Sequence, residues 1–338
     1  MQERIAADEA FDVVHARILR FFPELVAELG GDAQALMRQA GVDPFDAGYR
    51  QAVQLIELAA ADLRCPDFGM RLAARQGGAA MFGPLGTVMK NSRTFGEALN
   101  YVSTHSYAHS LAARVWLTPV ADEEGLFAGH DILLDGLPNK SQAIEQLLLT
   151  GHLSAMGITG GKARVRRVHF RHQPLSPYRI YRRYFGCDVR FGQEQDGVLF
   201  APHDLAAPIV DPDAQAYQAA IAFIEANFIQ HRPPLHAQAR GLIMQLLGTE
   251  QCRNERIAAE LNLHSRTMHR QLKAEGTSFQ QIKDEVRRDF MLYYLRQTEL
   301  DFASISEKLG FAEQSVMTRS CNRWFGASPT KLRSQARL

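Results

Sequence analysis

The chain has 338 residues, 46% hydrophobic and 22% charged, which gives room for two or three domains and excludes a disordered or fibrous protein. Its net charge of +1 hides an asymmetry: from Leu235 onward there are 16 Lys+Arg against 11 Asp+Glu, which leaves 22 against 26 before that point. A basic C-terminal part joined to a mildly acidic N-terminal part suggests a polyanion-binding module tethered to something else.

In chain order, residues 10–75 read as helices. Phe11, Val14, Ile18, Leu19 and Phe22 recur at helical spacing, Pro23 interrupts, and Gly41 supplies a stop after Leu25, Leu29 and Leu36. Residues 51–64, QAVQLIELAAADLR, make an amphipathic helix. GGAAMFGPLGTVMKNSRT opens on a compact glycine turn. Its GxxG at Gly83 and Gly86 follows no strand and precedes no GK[ST], so it reads as packing rather than phosphate binding. ARVWLTPV, a turn at ADEEG and LFAGHDILL form a hairpin, and 140–157 return to helix. RVRRVHFRH alternates like a strand, and CDVRFGQ with GVLFAP reads as a second strand pair. Strand regions flanked by helices, without regular βαβ alternation, predict an α+β domain over 1–210. Turn chemistry at Asp211-Pro212 opens a helical linker over 211–234, which HRPP breaks, and an all-α domain follows over 235–338.

The N-terminal 210 residues carry no catalytic signature. His105 and His109 stand four apart on an expected helix, which is metal-ligand spacing, but no third ligand accompanies them and polar histidines or a pocket wall is the expectation. Arg164, Arg166, Arg167 and Arg171 read as the solvated face of a strand, with an acidic ligand as the alternative. Cys65, Cys187, Cys252 and Cys321 form no CxxC pair, so neither a zinc site nor a disulfide framework is expected and reduced thiols in a cytosol fit best. MQERIAADEAFD lacks an apolar leader segment and no run of about 18 apolar residues occurs, so a cytoplasmic protein is expected, with no membrane span. No enzyme activity, cofactor or metal is expected.

The last quarter is different in kind, because two helix–turn–helix patterns stand there in series, at about 254–274 and 301–325. In the first, Asn254 is a candidate N-cap, Ile257, Ala258 and Leu261 form the buried stripe, and Asn262 sits where the turn needs positive φ. The next helix starts at His264 or Ser265. Met268 and Leu272 must face inward, which leaves Arg266, His269, Arg270 and Lys273 outward as phosphate and base-edge chemistry. In the second, Asp301 caps, Ile305 and Leu309 are buried, Gly310 turns the chain, and Phe311 covers the core. Met317 and Cys321 fall inward with Trp324 and Phe325 closing the end, while Gln314, Ser315, Thr318 and Arg319 fall outward. A helix over 279–295 lies between the two units.

IAAELNLHSRTMHRQLKAEGTSF and LRQTELDFASISEKLGFAEQSVMTRSCNRWFGASPTKLR resemble the DNA-binding domain of the AraC/XylS family of bacterial transcription regulators. VHFRHQPL, YRRYFGCDVRFGQ and GPLGTVMKNSRTFGEALNYV resemble, less specifically, the arabinose-binding-like domain found in one branch of that family. His264 stands where a Ser often caps the first recognition helix, and Met317, Cys321 and Asn322 replace two common aromatics and a Lys in the second, so a smaller core and one lost phosphate contact are expected there. The resemblance implies an effector-binding or dimerising N-terminal domain. It also implies a linker helix that presents both recognition helices to successive major grooves about 34 Å apart, and homodimers that read two half-sites of double-stranded DNA. A small-molecule effector of unknown identity and activation through RNA polymerase are implied as well. Two alternatives stand beside this: an effector-independent dimeric regulator, and a DNA-repair enzyme with such a module, although neither Cys65 nor Cys187 has the setting a reactive thiol needs.

Overall fold

The computed structural model describes residues 11–12, 18–42, 47–120, 125–137, 139–228 and 233–335. They fall into two compact units, 1–132 with 140–232, and 133–139 with 233–338.

From Phe22 onward the described residues of the first unit form α1 (Phe22–Glu28), α2 (Ala33–Ala40), α3 (Tyr49–Asp62) and α4 (Phe68–Gln76). Val14 of the expected first helix lies outside the described residues, while Phe11 and Ile18 are buried. Asp32 caps α2 by accepting from Ala35 N at 3.0 Å, and Gly41 closes it at φ 65°. A 3-10 turn, Gly78–Phe82, leads into α5 (Pro84–Asn91) and α6 (Phe95–His105). A Cβ on Gly86 would sit 1.9 Å from Ala79 O, so the GxxG segment is close packing, as its sequence context predicts.

The hairpin follows as β1 (Ala113–Val120) and β2 (Gly125–Ile132); its tip, 121–124, lies outside the described residues. Then come α7 (Ser141–Ile158), β3 (Arg167–His169), α8 (Tyr178–Phe185), β4 (Asp188–Arg190), β5 (Gly197–Phe200), α9 (Pro202–Leu205) and α10 (Ala214–Phe228). The five strands form one sheet in the order β1-β2-β5-β3-β4. Only β3 and β4 run parallel. The expected pairing of CDVRFGQ with GVLFAP is therefore corrected: β3 lies between β4 and β5 and bonds to both. Three strand residues carry no periodicity of their own, so this pairing is set by partners distant in sequence.

The Arg row is also corrected. Arg166 clamps the buried Asp204 through two bonds of 2.7 and 2.6 Å, Arg167 donates to Asp188 at 3.3 Å, and Arg171 lies 3.8 Å from Asp196. Arg164 and Arg166 are exposed, as a solvated row requires, but Arg167 and Arg171 are half-buried, and the ion pairs of Arg166, Arg167 and Arg171 tie the segment around β3 to acids of its neighbours. His105 and His109 do not share a helical face either. α6 ends at His105, whose ring stacks on Tyr101 at 3.9 Å, and a 3-10 turn carries His109 into the interior against Tyr49 and Phe82. Among the described residues no group of three metal-ligating side chains occurs.

α7 runs through the middle of this unit, buried on nearly every side. Its N-terminus lacks a local side-chain cap, and Glu57 on α3 replaces one by accepting from Gln142 N at 2.7 Å. Burial pushes the Glu57 carboxyl up to about 7, against the pull of those backbone bonds. The folded state thus holds a proton that the unfolded chain releases near pH 4.5, and the associated stability is lost as pH rises from there through 7. His130 and His152, held down to about 4 by burial, act in the opposite sense, losing stability as pH falls from about 6.5 towards 4. Glu57→Gln should be roughly neutral at pH 5 and gain about 1–2 kcal/mol at pH 8, read by denaturation at Trp116 in a Trp324→Phe background. Equal differences at both pH values would assign Glu57 its ordinary titration. α10, within the segment read as a linker, buries Ala220 and Ile224 against Leu85, Val88 and Ala108 of this unit.

The second unit is all helical: α11 (Leu235–Leu246), α12 (Asn254–Glu260), α13 (Ser265–Ala274), α14 (Phe279–Gln297), α15 (Phe302–Lys308), α16 (Gln314–Phe325) and α17 (Pro329–Gln335). One core runs through it, with Ile243, Ile257, Met268, Val286, Ile305 and Met317 all fully buried. The fold is the expected one, α+β followed by two helix–turn–helix pairs joined by a helix. No helix among the described residues is long and apolar enough to cross a membrane.

Candidate nucleic-acid interface

Each helix–turn–helix is made by local chemistry. In the first, α12 begins one residue earlier than its sequence suggests. Arg253 is the N-cap, without a side-chain bond, because helical bonding starts with Ile257 N to Arg253 O at 3.0 Å. Asn262 holds the turn at φ 55°, a conformation that Asn tolerates better than most residues. His264 then takes over the capping role: its Nδ1 accepts from Arg266 N at 3.3 Å. The departure from Ser at this position therefore keeps the cap. Leu261, expected in the buried stripe, is only half-buried at the end of α12.

In the second, Asp301 accepts from Ser304 N at 2.7 Å, and Gly310 turns at φ 63°. The second helix of each pair, α13 and α16, buries its fourth and eighth residues: Met268 and Leu272 in one, Met317 and Cys321 in the other. The smaller Cys321 is used in another way. Its thiol donates to Ala327 O at 3.4 Å, tying the end of α16 to the next turn, and burial pushes it up to about 11. Trp324 and Phe325 pack half-buried against the same core.

This inner register fixes the outer one. Arg266, His269, Arg270 and Lys273 are exposed on α13; Gln314, Ser315 and Arg319 are exposed on α16, with Thr318 half-buried. Arg270 and Arg319 each occupy the sixth position of their helix. Ser315 donates to Glu313 at 3.0 Å, and Thr318 donates to Gln314 O at 3.0 Å. Among the described residues Arg266, Arg270, Lys273 and Arg319 make no side-chain ion pair. Elsewhere in the unit Arg240 pairs with Asp289, Arg256 with Glu260, Lys283 with Cys252 O and Arg333 with Leu300 O, while Arg253, Arg296 and Lys331, which lie outside α13 and α16, are exposed like the cations of those two helices.

Several such groups went unread in the sequence, and they brace the two helix–turn–helix pairs. From α14, Lys283 donates at 2.8 Å to the chain just before α12. One turn on, Arg287 donates at 2.9 Å to Leu309 O and also to Gly310 O, the turn of the second pair, with its guanidinium 4.3 Å over the Phe311 ring. Glu275 of AEGTSF caps α11, accepting from Leu235 N and His236 N at 2.9 and 2.8 Å. Arg333 reaches Leu300 O at 2.6 Å ahead of α15. Long-range bonds of this kind leave no local periodicity.

The first unit contains a cavity between α5, α6, α7 and the sheet. Leu85, Leu99, Leu147, Leu148, Val198 and Phe200 form much of its wall. Among the described residues Ser106, His109 and His130 are its only lining side chains with nitrogen or oxygen, and no Asp, Glu, Lys or Arg lines it.

Residues 30–209 match the family described as the arabinose-binding domain of AraC transcription regulator, N-terminal, and residues 257–335 match a helix-turn-helix domain. The chain is 32% identical over 334 residues to the HTH-type transcriptional regulator VirS of Mycobacterium tuberculosis, spanning 96% of this chain and 98% of that one. It is 27% identical over 319 residues to the ornithine utilization regulator of Pseudomonas aeruginosa, spanning 92% and 93%. The crystal structure of the transcriptional regulator CdpR from Pseudomonas aeruginosa aligns over 89% of this chain and 96% of that one, at 21% identity and a TM-score of 0.44. Two tandem helix–turn–helix pairs behind a matched regulatory domain, with relatives alike along their whole length, settle the class: the chain belongs to the AraC family of DNA-binding transcription regulators and is not an enzyme.

Proposed function

We propose that α13 and α16 read base edges in successive major grooves of one duplex, through Arg266, His269, Arg270 and Lys273 from the first and Gln314, Ser315, Thr318 and Arg319 from the second. The observation that carries this reading is the set of exposed cations without ion pairs, set on two helices with the same buried register. Residues 235–338 act as the DNA-binding domain, 1–210 as the regulatory domain and 211–234 as the helical connection. The protein works in the cytoplasm as a homodimer on two half-sites and activates transcription by contacting RNA polymerase. A small molecule in the cavity of the first unit biases the DNA-binding domains between two arrangements, a coupling of about 1–3 kcal/mol. The arabinose of the matched family's description and the ornithine of one relative's name are not carried over, because the apolar lining fits neither.

Binding to a duplex from the protein's own upstream region, followed by anisotropy, tests the reading. Affinity should fall about a thousandfold or more between 50 and 200 mM salt, as phosphate contacts by several cations require, and should exceed that for a scrambled duplex. Equal affinity for both duplexes would remove base recognition from these helices.

A further inference from the structure

We infer that the cavity of the first unit takes an uncharged, mainly apolar small molecule bearing one hydrogen-bonding group, which His130 meets. This rests on the reading of that unit as an effector domain and names the chemistry of the effector.

Three observations lead there. The first is the lining: a sugar brings a hydroxyl on nearly every carbon and an amino acid brings two charges, and each buried hydroxyl or charge needs its own partner. Three polar side chains, with no charged one among the described lining residues, cannot supply them. Apolar bulk is what this wall matches.

The second is His130 on β2. It is 9% exposed, lines the cavity, and its Nε2 is buried with no hydrogen-bond partner. Burial holds the ring down to about 4, so at neutral pH it is uncharged and offers a donor on one nitrogen and an acceptor on the other. A buried polar atom left unsatisfied in a native fold calls for a partner, and a ligand hydroxyl or carbonyl supplies one.

The third is Gly151. It lies inside α7, where glycine weakens a helix relative to alanine, and its φ is not positive. A Cβ there would meet nothing within 4 Å, and the residue lines the cavity. Gly69 on α4 is the contrast, since its Cβ would stand 2.1 Å from Gln142 O. Packing explains Gly69; at Gly151 the missing side chain leaves room in the cavity.

The test uses the full chain, thermal shift and four probes: 4-hexylphenol, hexylbenzene, L-arabinose and L-ornithine. 4-Hexylphenol should raise the unfolding temperature by several degrees, and the two polar probes should leave it unchanged. Gly151→Val should keep the ligand-free unfolding temperature and weaken 4-hexylphenol binding at least about tenfold, with Gly151→Ala as a milder variant that folds at least as well as the parent. His130→Leu should cut the preference for 4-hexylphenol over hexylbenzene about fivefold, the worth of one buried hydrogen bond. Arabinose or ornithine binding that Gly151→Val abolishes would overturn the ligand class while the effector reading stands. Binding of 4-hexylphenol that ignores Gly151→Val, or no binding of any probe, would overturn the inference. If 4-hexylphenol binds as expected but leaves DNA affinity unchanged, the ligand class holds and the effector reading fails.

Discussion

Asp289→Ala is expected to destabilise the C-terminal unit by about 3 kcal/mol. Arg240 on α11 is 6% exposed at its side chain and donates to Asp289 on α14, and Glu285 lies 3.8 Å from the same guanidinium. Removing Asp289 leaves a guanidinium buried beside only the half-exposed Glu285. Breaking one side of such a pair costs about 3–5 kcal/mol, and Glu285 keeps the loss at the low end. Replacing both partners with apolar residues, Arg240→Met with Asp289→Leu, should recover most of it. Thermal unfolding read at Trp324 in a Trp116→Phe background measures both. Because α14 also carries Lys283 and Arg287, which hold the two helix–turn–helix pairs, Asp289→Ala should weaken DNA binding as well. An unchanged transition in Asp289→Ala would show that the pair does not anchor α14.

What was legible in the sequence was local. Met268 with Leu272 and Met317 with Cys321 repeat at four residues, so the buried faces follow from helical periodicity alone. Asn262, Asp301 and Gly310 each state a backbone requirement in one residue. What failed depended on partners far along the chain. Arg166 meets Asp204 and Arg171 meets Asp196, and no pattern in RVRRVHFRH announces those acids. β3 is three residues long, and its place between β4 and β5 is decided by them. His105 and His109 look like one face only if α6 continues past His105, which it does not. The cavity stayed invisible for the same reason: three helices and three strands build it, each contributing a few apolar residues that individually read as core.

Arg270→Ala and Arg319→Ala are each expected to weaken binding to the protein's own site by about 1–3 kcal/mol, about 5- to 150-fold. The two arginines occupy the same position on their helices and lack intramolecular ion pairs among the described residues, so neither change removes a stabilising contact. Folding should therefore be unaltered, which separates this effect from that of Asp289→Ala. Lys273→Ala, as a phosphate contact, should weaken all sequences alike and lower the salt slope by about one. The first face carries Arg266, Arg270 and Lys273, the second only Arg319 among neutral groups, so the first should supply more of the affinity and the steeper salt dependence.

The most direct measurement is a base-by-base substitution profile of the binding site, taken with the parent, Arg270→Ala and Arg319→Ala. Two patches of base preference about one helical turn apart are expected within each half-site, with Arg270→Ala flattening one and Arg319→Ala flattening the other. A single patch, or two patches that both variants leave intact, would contradict recognition by α13 and α16 together.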